Sequence, residues 1–191
     1  MTILQPFKTE IDLKTGVFTP ETGIIKRYLS QMRSMFADTD AVERILADEG
    51  DRLLYEVYVT KLPEEAGQIL HCTTIIHPGK IGSEFHMTKG HYHARREEGE
   101  VYLGLSGDGC LVMQTQEGAT DVQFMKPGTA AYVPPYWAHR TINIGEAPFV
   151  FFAAWAGDAG HDYGTIERDG FRKLIVDFDG HVEVTDNPKY R

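Results

Sequence analysis

Short runs of apolar and β-branched residues, each closed by a turn, occupy the chain from residue 51 onward. Residues 53–60 read LLYEVYVT and residues 68–76 read QILHCTTII, and glycine or proline follows or precedes each run. The remaining runs of this kind are residues 101–105, 110–115, 122–125, 129–133, 149–155, 171–178 and 181–185. Asp179-Gly180 joins the last two as a tight hairpin. Roughly ten strands at this spacing predict an all-β fold, either a closed barrel or a double-sheet jelly roll.

The clearest helix lies before these strands, at residues 39–49. Val42, Ile45 and Leu46 fall on one face of a helix with 3.6 residues per turn. Gly50 stands where such a helix is expected to stop. The pattern therefore predicts one short helix in the N-terminal quarter of the chain.

The N-terminal part differs in pattern from the rest, yet no linker-like run separates the two. Residues 25–36 permit a helix, while their flanks look extended. We expect an N-terminal arm with a short helix over residues 1–50, packed on a β-barrel over residues 51–191. The whole chain is predicted to form a single structural domain.

Composition and charge exclude some classes of function. The chain has 191 residues, of which 42% are hydrophobic and 25% are charged, as in an ordinary globular protein. Its 28 acidic residues outnumber 19 basic ones, which gives a net charge of −9. An acidic chain lacks the basic footprint that polyanions require, so nucleic acid and membrane are not expected partners. A small anion is not excluded, because it responds to the local field.

The sequence predicts a cytoplasmic location. The first 14 residues contain no uninterrupted apolar stretch of signal-peptide length. The longest apolar run, residues 149–156, is too short to cross a bilayer. Cys72 and Cys110 both lie in predicted strands, which indicates buried free thiols rather than a disulfide framework.

Four residues of metal-binding types carry the functional signal. His91 and His93 form a His-x-His pair, and in a strand both imidazoles project from the same face. Glu100 and His139 follow in later segments. Three imidazoles and one carboxylate form a ligand set for a divalent first-row metal ion. The alternative is an exposed His-x-His pair with unrelated neighbours.

These residues and the glycines around them resemble the two signature motifs of the cupin superfamily. The first motif is matched by His91, His93, Glu100 and Gly107. The second motif is matched by Gly128, Pro134, His139 and Asn143. Tyr136 stands where the second motif usually has glycine, so we expect that turn to differ locally.

The choice of acidic ligand rests on spacing. The usual spacer of the first motif would select Glu97 or Glu98, whereas Glu100 requires a longer one. Glu100 is preferred because it opens a predicted strand and because Gly107 follows it at the expected distance. Glu97 and Glu98 adjoin two arginines, which is typical of a solvated loop.

The chain as a whole resembles the cupin-type glucose-6-phosphate isomerases of archaea and some bacteria. The most distinctive strings are FHMTKGHYHA at residues 85–94, VPPYWAHRTINIG at 133–145 and DAGHDYGT at 158–165. The resemblance implies a homodimeric cytoplasmic enzyme of glycolysis or gluconeogenesis that interconverts glucose 6-phosphate and fructose 6-phosphate. It also implies one divalent metal ion per subunit, with Fe²⁺ expected and Mn²⁺, Ni²⁺ or Zn²⁺ as alternatives.

The resemblance further implies roles for individual residues. The metal ligands would be His91, His93, Glu100 and His139. The residues around the sugar phosphate would be Thr74, Thr88, Gly90 and Tyr163, with Trp155 at a position where tyrosine is expected. The catalytic or pocket-lining residues would be Glu100, Tyr102 and His161. Simpler interpretations remain for three of them, since Thr74 and Tyr102 suit an ordinary strand and His161 can cap a turn.

Several functions fit this ligand set. Four protein ligands leave two adjacent positions of an octahedral ion, which suits the C1 and C2 oxygens of an open-chain sugar. Proton transfer through an enediol and a direct hydride shift both remain open. The alternatives are a mannose-6-phosphate isomerase, an Fe²⁺ cupin dioxygenase and a non-enzymatic sugar-binding regulatory cupin. Residues 85–96 carry three basic residues, three histidines and no acid, which favours a ligand with a single phosphate.

Overall fold

The strands predicted after residue 50 are present in the computed structural model, which describes residues 4–190. The strands of that part of the chain are β1 (Glu10–Ile11), β2 (Phe18–Thr19), β3 (Ile24–Tyr28), β4 (Leu53–Val59), β5 (Ile69–Ile76), β6 (Lys80–Ile81), β7 (Glu84–Phe85), β8 (Glu100–Ser106), β9 (Gly109–Gln114), β10 (Thr120–Met125), β11 (Ala130–Val133), β12 (Ala138–Asn143), β13 (Phe149–Ala156), β14 (Lys173–Phe178) and β15 (His181–Asp186). The helical segments are a 3₁₀ helix (Leu29–Met35), α1 (Thr39–Asp48) and α2 (Gly164–Asp169).

The strands form antiparallel sheets, which confirms the predicted all-β class. The largest sheet has six strands in the order β11-β8-β13-β5-β4-β3. The others have the orders β10-β9-β12, β15-β14-β7-β6 and β1-β2. Over residues 4–190 these sheets do not close into one hydrogen-bonded barrel. Single bridges such as Met87–Ile142 and His91–His139 take the place of a continuous ladder beside β12.

Helix α1 confirms the helix predicted near residues 39–49. Asp38 caps it, because its carboxylate accepts a hydrogen bond from the Ala41 backbone N–H at 2.8 Å. Ala41, Val42 and Ile45 are buried on the inner face of the helix. Burial of this face, rather than intrinsic propensity, supplies most of the stability of so short a helix.

The ambiguous segment at residues 25–36 contains both kinds of structure. Strand β3 pairs with β4 in the six-stranded sheet, and the 3₁₀ helix follows it directly. Strand β3 is therefore the edge of the largest sheet, while Leu29 and Met32 of the 3₁₀ helix enter the core. The proposed division of the chain at residue 50 stays a prediction.

One continuous cluster of buried side chains joins the sheets and the helical segments. It includes Met32 and Val42 from the N-terminal segments, Leu111 from β9, Ile142 from β12 and Phe151 from β13. Strands β9 and β12 are buried along their whole length, although β12 contains His139, Arg140 and Asn143. No helix of the described residues is long and apolar enough to cross a membrane.

The two cysteines are buried free thiols, as predicted. Cys72 lies on β5 and Cys110 on β9, and neither forms a disulfide. Burial raises the pKa of each thiol to about 12. Both side chains are therefore neutral core residues near pH 7.

Candidate active site

His91 and His139 lie opposite each other in an antiparallel bridge. The His91 N–H donates to the His139 carbonyl at 3.2 Å, and the His139 N–H donates to the His91 carbonyl at 3.0 Å. His93 lies two residues beyond His91, and the ring centroids of these two histidines are 5.7 Å apart. The predicted regular strand is replaced here by isolated bridges, yet both rings still face the same side of the chain.

Glu100, the first residue of β8, completes the group. Its Oε2 lies 3.1 Å from His93 Nε2 and 3.1 Å from His139 Nε2. The ligand atoms of His91, His93, Glu100 and His139 all lie within 4.8 Å of one another. Glu97, in contrast, is exposed to solvent. The structure thus brings the acid preferred on sequence grounds into the histidine cluster.

The protonation states of Glu100 and His91 suit the binding of a cation. Burial would raise the pKa of Glu100, but the adjacent His139 and His93 side chains outweigh it and bring the pKa down to about 2. Burial and the neighbouring imidazoles hold the pKa of His91 well below its usual value. Near pH 7, Glu100 is therefore a carboxylate and His91 a neutral imidazole, the forms that bind metal ions.

The histidine tautomers also fit a metal ion. His93 Nδ1 lies 2.9 Å from the Glu98 carbonyl, which leaves Nε2 directed at the cluster. Within residues 4–190, the buried Nε2 of His91 has no hydrogen-bond partner, and the buried Nε2 of His139 makes no hydrogen bond of good geometry although Glu100 Oε2 lies 3.1 Å away. Buried polar nitrogens are normally satisfied, and a carbonyl bonded to the other ring nitrogen is typical of metal-ligating histidines. The residues present therefore fit a divalent ion.

The cluster opens into a cavity of about 160 Å³. Ten of the eleven predicted site residues line it: Thr74, Thr88, Gly90, His91, Glu100, Tyr102, His139, Trp155, His161 and Tyr163. His93, the eleventh, is buried within the ligand cluster. These residues come from β5, β8, β12, β13 and the two segments that carry His91 and His161.

His161 and Tyr163 form one wall of this cavity. The His161 ring centroid is 4.4 Å from that of His91, and the His161 ring stacks on Tyr163 at 5.6 Å. Burial lowers the pKa of His161, so its imidazole is neutral near pH 7. Burial raises the pKa of Tyr163 to about 12 and holds that of Tyr102 well above its usual value. Both phenols are therefore hydrogen-bond donors inside the cavity.

Trp155 lies at the same end of the cavity as the ligand cluster. It stands opposite Glu100 in the pairing of β13 with β8. Its indole Nε1 is buried and has no hydrogen-bond partner among the described residues 4–190. An indole N–H can only donate, so a bound molecule with an oxygen nearby would satisfy it.

Sequence reasoning missed Arg27, Tyr55 and Thr141, which also line the cavity. Arg27 on β3 pairs in register with Tyr55 on β4. The signal for Arg27 was weak because residues 25–36 did not show a clear period. Tyr55 lies in the predicted strand at residues 53–60, and its string YEVY contributes to the family resemblance, but the sequence predicted no site role for it. Lys89 also lines the cavity, and its Nζ lies 5.0 Å from the Tyr163 ring centroid.

The fold and the site together define a protein of antiparallel β-sheets with a buried His₃Glu cluster that opens into a cavity. Residues 26–191 match the model of the glucose-6-phosphate isomerase family. The chain is 48% identical over 186 residues to a glucose-6-phosphate isomerase of Thermococcus gammatolerans, covering 97% of each chain. It is 30% identical over 191 residues to one of Sinorhizobium medicae, covering 99% of this chain and 89% of the relative.

The chain therefore belongs to the glucose-6-phosphate isomerase family, a family of enzymes. Among solved structures, an oxalate oxidase bound to the substrate analogue glycolate aligns with a TM-score of 0.48 and 13% identity. That alignment covers 60% of this chain and 58% of the oxidase. The family assignment rests on the sequence matches alone.

Proposed function

We propose that this chain is a metal-dependent isomerase that interconverts glucose 6-phosphate and fructose 6-phosphate. The observation that carries the proposal is the shared cavity of a buried His₃Glu cluster and a set of hydroxyl and cationic groups. Family membership supports the same substrate pair. The cluster fits the reacting carbons, and the cationic end fits the phosphate.

The metal ion would be held by His91, His93, Glu100 and His139. When bound, a divalent ion supplies Lewis-acid polarisation of the C1 and C2 oxygens of the open-chain sugar. Fe²⁺ is the proposed ion, and the mixed nitrogen and oxygen ligand set also accepts Mn²⁺, Ni²⁺ and Zn²⁺. One ion per subunit follows from the single cluster of this kind in the described part of the chain.

The phosphate would bind at the end of the cavity that holds Arg27 and Lys89. The hydroxyls of Thr74, Thr88 and Tyr163 can donate to phosphate oxygens there. Gly90 has a φ of 75° and no side chain, so its backbone can approach an anion closely. Charge-assisted hydrogen bonds from a guanidinium or ammonium group strengthen such a site.

His161 is the proposed proton carrier. Its neutral ring lies beside His91 but outside the ligand cluster, so its lone pair is free of the metal site. Tyr102 would donate a hydrogen bond to a substrate oxygen, because its hydroxyl stays protonated beside Glu100. Glu100 itself is a poor base, since its pKa of about 2 marks a strongly stabilised carboxylate. Trp155 would donate its unpartnered N–H to the sugar.

Substitution of the two candidate acids tests the metal site. Glu100→Gln should weaken metal binding ~100-fold and abolish isomerase activity. Replacing residues that only hydrogen-bond to metal ligands already lowers metal affinity or activity ten- to a hundredfold. Glu97→Gln is the matched control, because Glu97 is exposed and chemically identical. Metal content by mass spectrometry and conversion of fructose 6-phosphate are measured on both variants. Loss of metal in the Glu97 variant alone would refute the assignment of Glu100.

A homodimer and a cytoplasmic location are part of the same proposal. Buried free thiols at Cys72 and Cys110 are compatible with a reducing compartment. Apolar side chains are exposed on the outer face of β8 and its neighbours, among them Val101, Leu103 and Tyr132. Such a surface is suited to contact with a second copy of the chain.

A further inference from the structure

Residues 88–91 pair with residues 139–141 of β12, so the first segment is one residue longer than its partner. Thr88 pairs with Thr141 through an N–H to carbonyl hydrogen bond of 2.9 Å, and His91 pairs with His139. Lys89 and Gly90 therefore both face the single residue Arg140. This is a β-bulge, and the positive φ of Gly90, 75°, is the conformation that such bulges place on glycine. Both bulge residues line the substrate cavity.

In the described part of the chain no backbone N–H donates to the Lys89 carbonyl at this bulge. The side chain of Arg140 supplies the donor instead. Its Nη2 donates to the Lys89 carbonyl at 2.8 Å. The guanidinium lies 4.6 Å from the Phe171 ring centroid and 3.5 Å from Met35 Sδ. Arg140 is almost fully buried, with 3% of its surface exposed, so this hydrogen bond is shielded from water.

The side chains of Phe171 and Arg140 also leave no room for a side chain at residue 90. A Cβ on Gly90 would lie 2.6 Å from the Phe171 ring and 3.1 Å from Arg140 Cβ. Arg140 itself does not line the substrate cavity but borders a separate polar cavity of about 240 Å³ on the other side. It therefore supports the bulge from behind without being placed to touch a substrate.

We propose that Arg140 is a positioning residue of this enzyme, which holds the Lys89–Gly90 bulge in the shape that binds the phosphate group. This inference rests on the proposed isomerase function. Removing the guanidinium takes away the side-chain donor of the Lys89 carbonyl, and the bulge relaxes away from the phosphate end. The metal ligands, which are held by their own bridge, keep their places.

The test compares Arg140→Met and Arg140→Lys with the parent enzyme, each loaded with metal. Arg140→Met should raise KM for fructose 6-phosphate and the inhibition constant of inorganic phosphate by about tenfold each. Metal content and kcat should stay within about twofold, because transition-state contacts at the metal are untouched. Arg140→Lys keeps a cation that can reach the Lys89 carbonyl. Its KM and inhibition constant should lie about halfway between those of the parent and of Arg140→Met on a logarithmic scale.

The matched control is Arg172→Met. Arg172 is another arginine stacked on an aromatic ring, 4.2 Å from the Tyr190 centroid, and its Nε also lacks a partner in the described part of the chain. It lies away from the substrate cavity, so KM and phosphate inhibition should not change. The role of Arg140 would be overturned if phosphate inhibition were unchanged in both Arg140 variants. It would also be overturned if kcat and metal content fell as much as the affinity for phosphate. Absence of isomerase activity in the parent enzyme would instead refute the proposed function.

Discussion

Tyr136 has a backbone conformation that is uncommon for residues other than glycine. It stands where the second cupin motif has glycine, and its φ of 71° is in the left-handed region. Its N–H still donates to the Arg96 carbonyl at 2.6 Å. The tyrosine therefore adopts a conformation that favours glycine, and a local difference of this turn from the motif stays a prediction.

This conformation predicts that Tyr136→Gly stabilises the protein. A left-handed residue other than glycine costs about 1 kcal/mol, and the Tyr136 side chain is 57% exposed, so little burial is lost. Urea denaturation should show a free energy of unfolding higher by roughly 0.5 kcal/mol, because the conformational entropy that glycine loses on folding offsets part of the relieved strain. Tyr132→Gly is the control, since Tyr132 is 55% exposed but lies in strand β11. That variant should be destabilised, and a destabilised Tyr136→Gly would contradict the account.

His86 is a buried side chain that is neutral near pH 7. Its Nδ1 lies 3.0 Å from the His77 carbonyl, and its Nε2 is buried without a partner in residues 4–190. Burial lowers the pKa of His86 to about 4. Protonation would place an unpaired cation in the interior, so it opposes folding.

A specific pH dependence of stability follows. The pKa of His86 is about 6.5 in the unfolded chain and about 4 in the folded one, so its stabilisation is present above pH 6.5 and is lost as the pH falls toward 4. Between pH 7 and pH 4.5 the parent should lose about 2 kcal/mol more than His86→Gln, measured by urea denaturation at both values. Equal losses in the two proteins would show that His86 does not stay neutral.

At the scale of elements, long periodic segments were predictable and short ones were not. Helix α1 has a cap, one apolar face and a stop, and all three signals are local. Strands β6 and β7 have two residues each, and α2 has six, so none contains enough residues to show a period. Strand β12 was recognised only as a motif, because its buried Arg140 and Asn143 obscure the apolar pattern.

Strand β3 illustrates how a missed element can carry function. It is the edge of the six-stranded sheet and brings Arg27 to the cavity. Lys26, its neighbour, pairs with Glu56 at 2.9 Å and does not line the cavity. The two adjacent cations thus differ in whether they can reach a phosphate.

Arg27→Gln should therefore raise KM for fructose 6-phosphate by about tenfold, the value of a charge-assisted hydrogen bond, with a smaller effect on kcat. Lys26→Gln should leave KM unchanged, because its surface ion pair is worth little. Steady-state kinetics on both variants decides the matter. Equal KM values for Arg27→Gln and the parent would remove Arg27 from the phosphate site.

At the scale of the whole molecule, the sequence predicted which residues form the metal-ligand cluster better than it predicted how the sheets surround the cavity. The spacing of His91, His93, Glu100 and His139 was sufficient to predict a cluster, because each lies in a recognisable motif. The way four sheets meet through isolated bridges depends on contacts between distant residues, which no local pattern specifies. The sequence predicted a closed barrel or a double-sheet jelly roll, and over residues 4–190 the strands form antiparallel sheets around the cavity without closing into one hydrogen-bonded barrel.

The central claim is that isomerase activity depends on a divalent ion at the His₃Glu cluster. The most direct test strips the purified chain of metal and reloads it separately with Fe²⁺, Mn²⁺, Ni²⁺ and Zn²⁺ while bound metal and conversion of fructose 6-phosphate are measured together. We expect glucose 6-phosphate to form in proportion to bound metal and to saturate at a single ion per chain. Full activity in the metal-free protein, or no product with any of these ions, would contradict the claim.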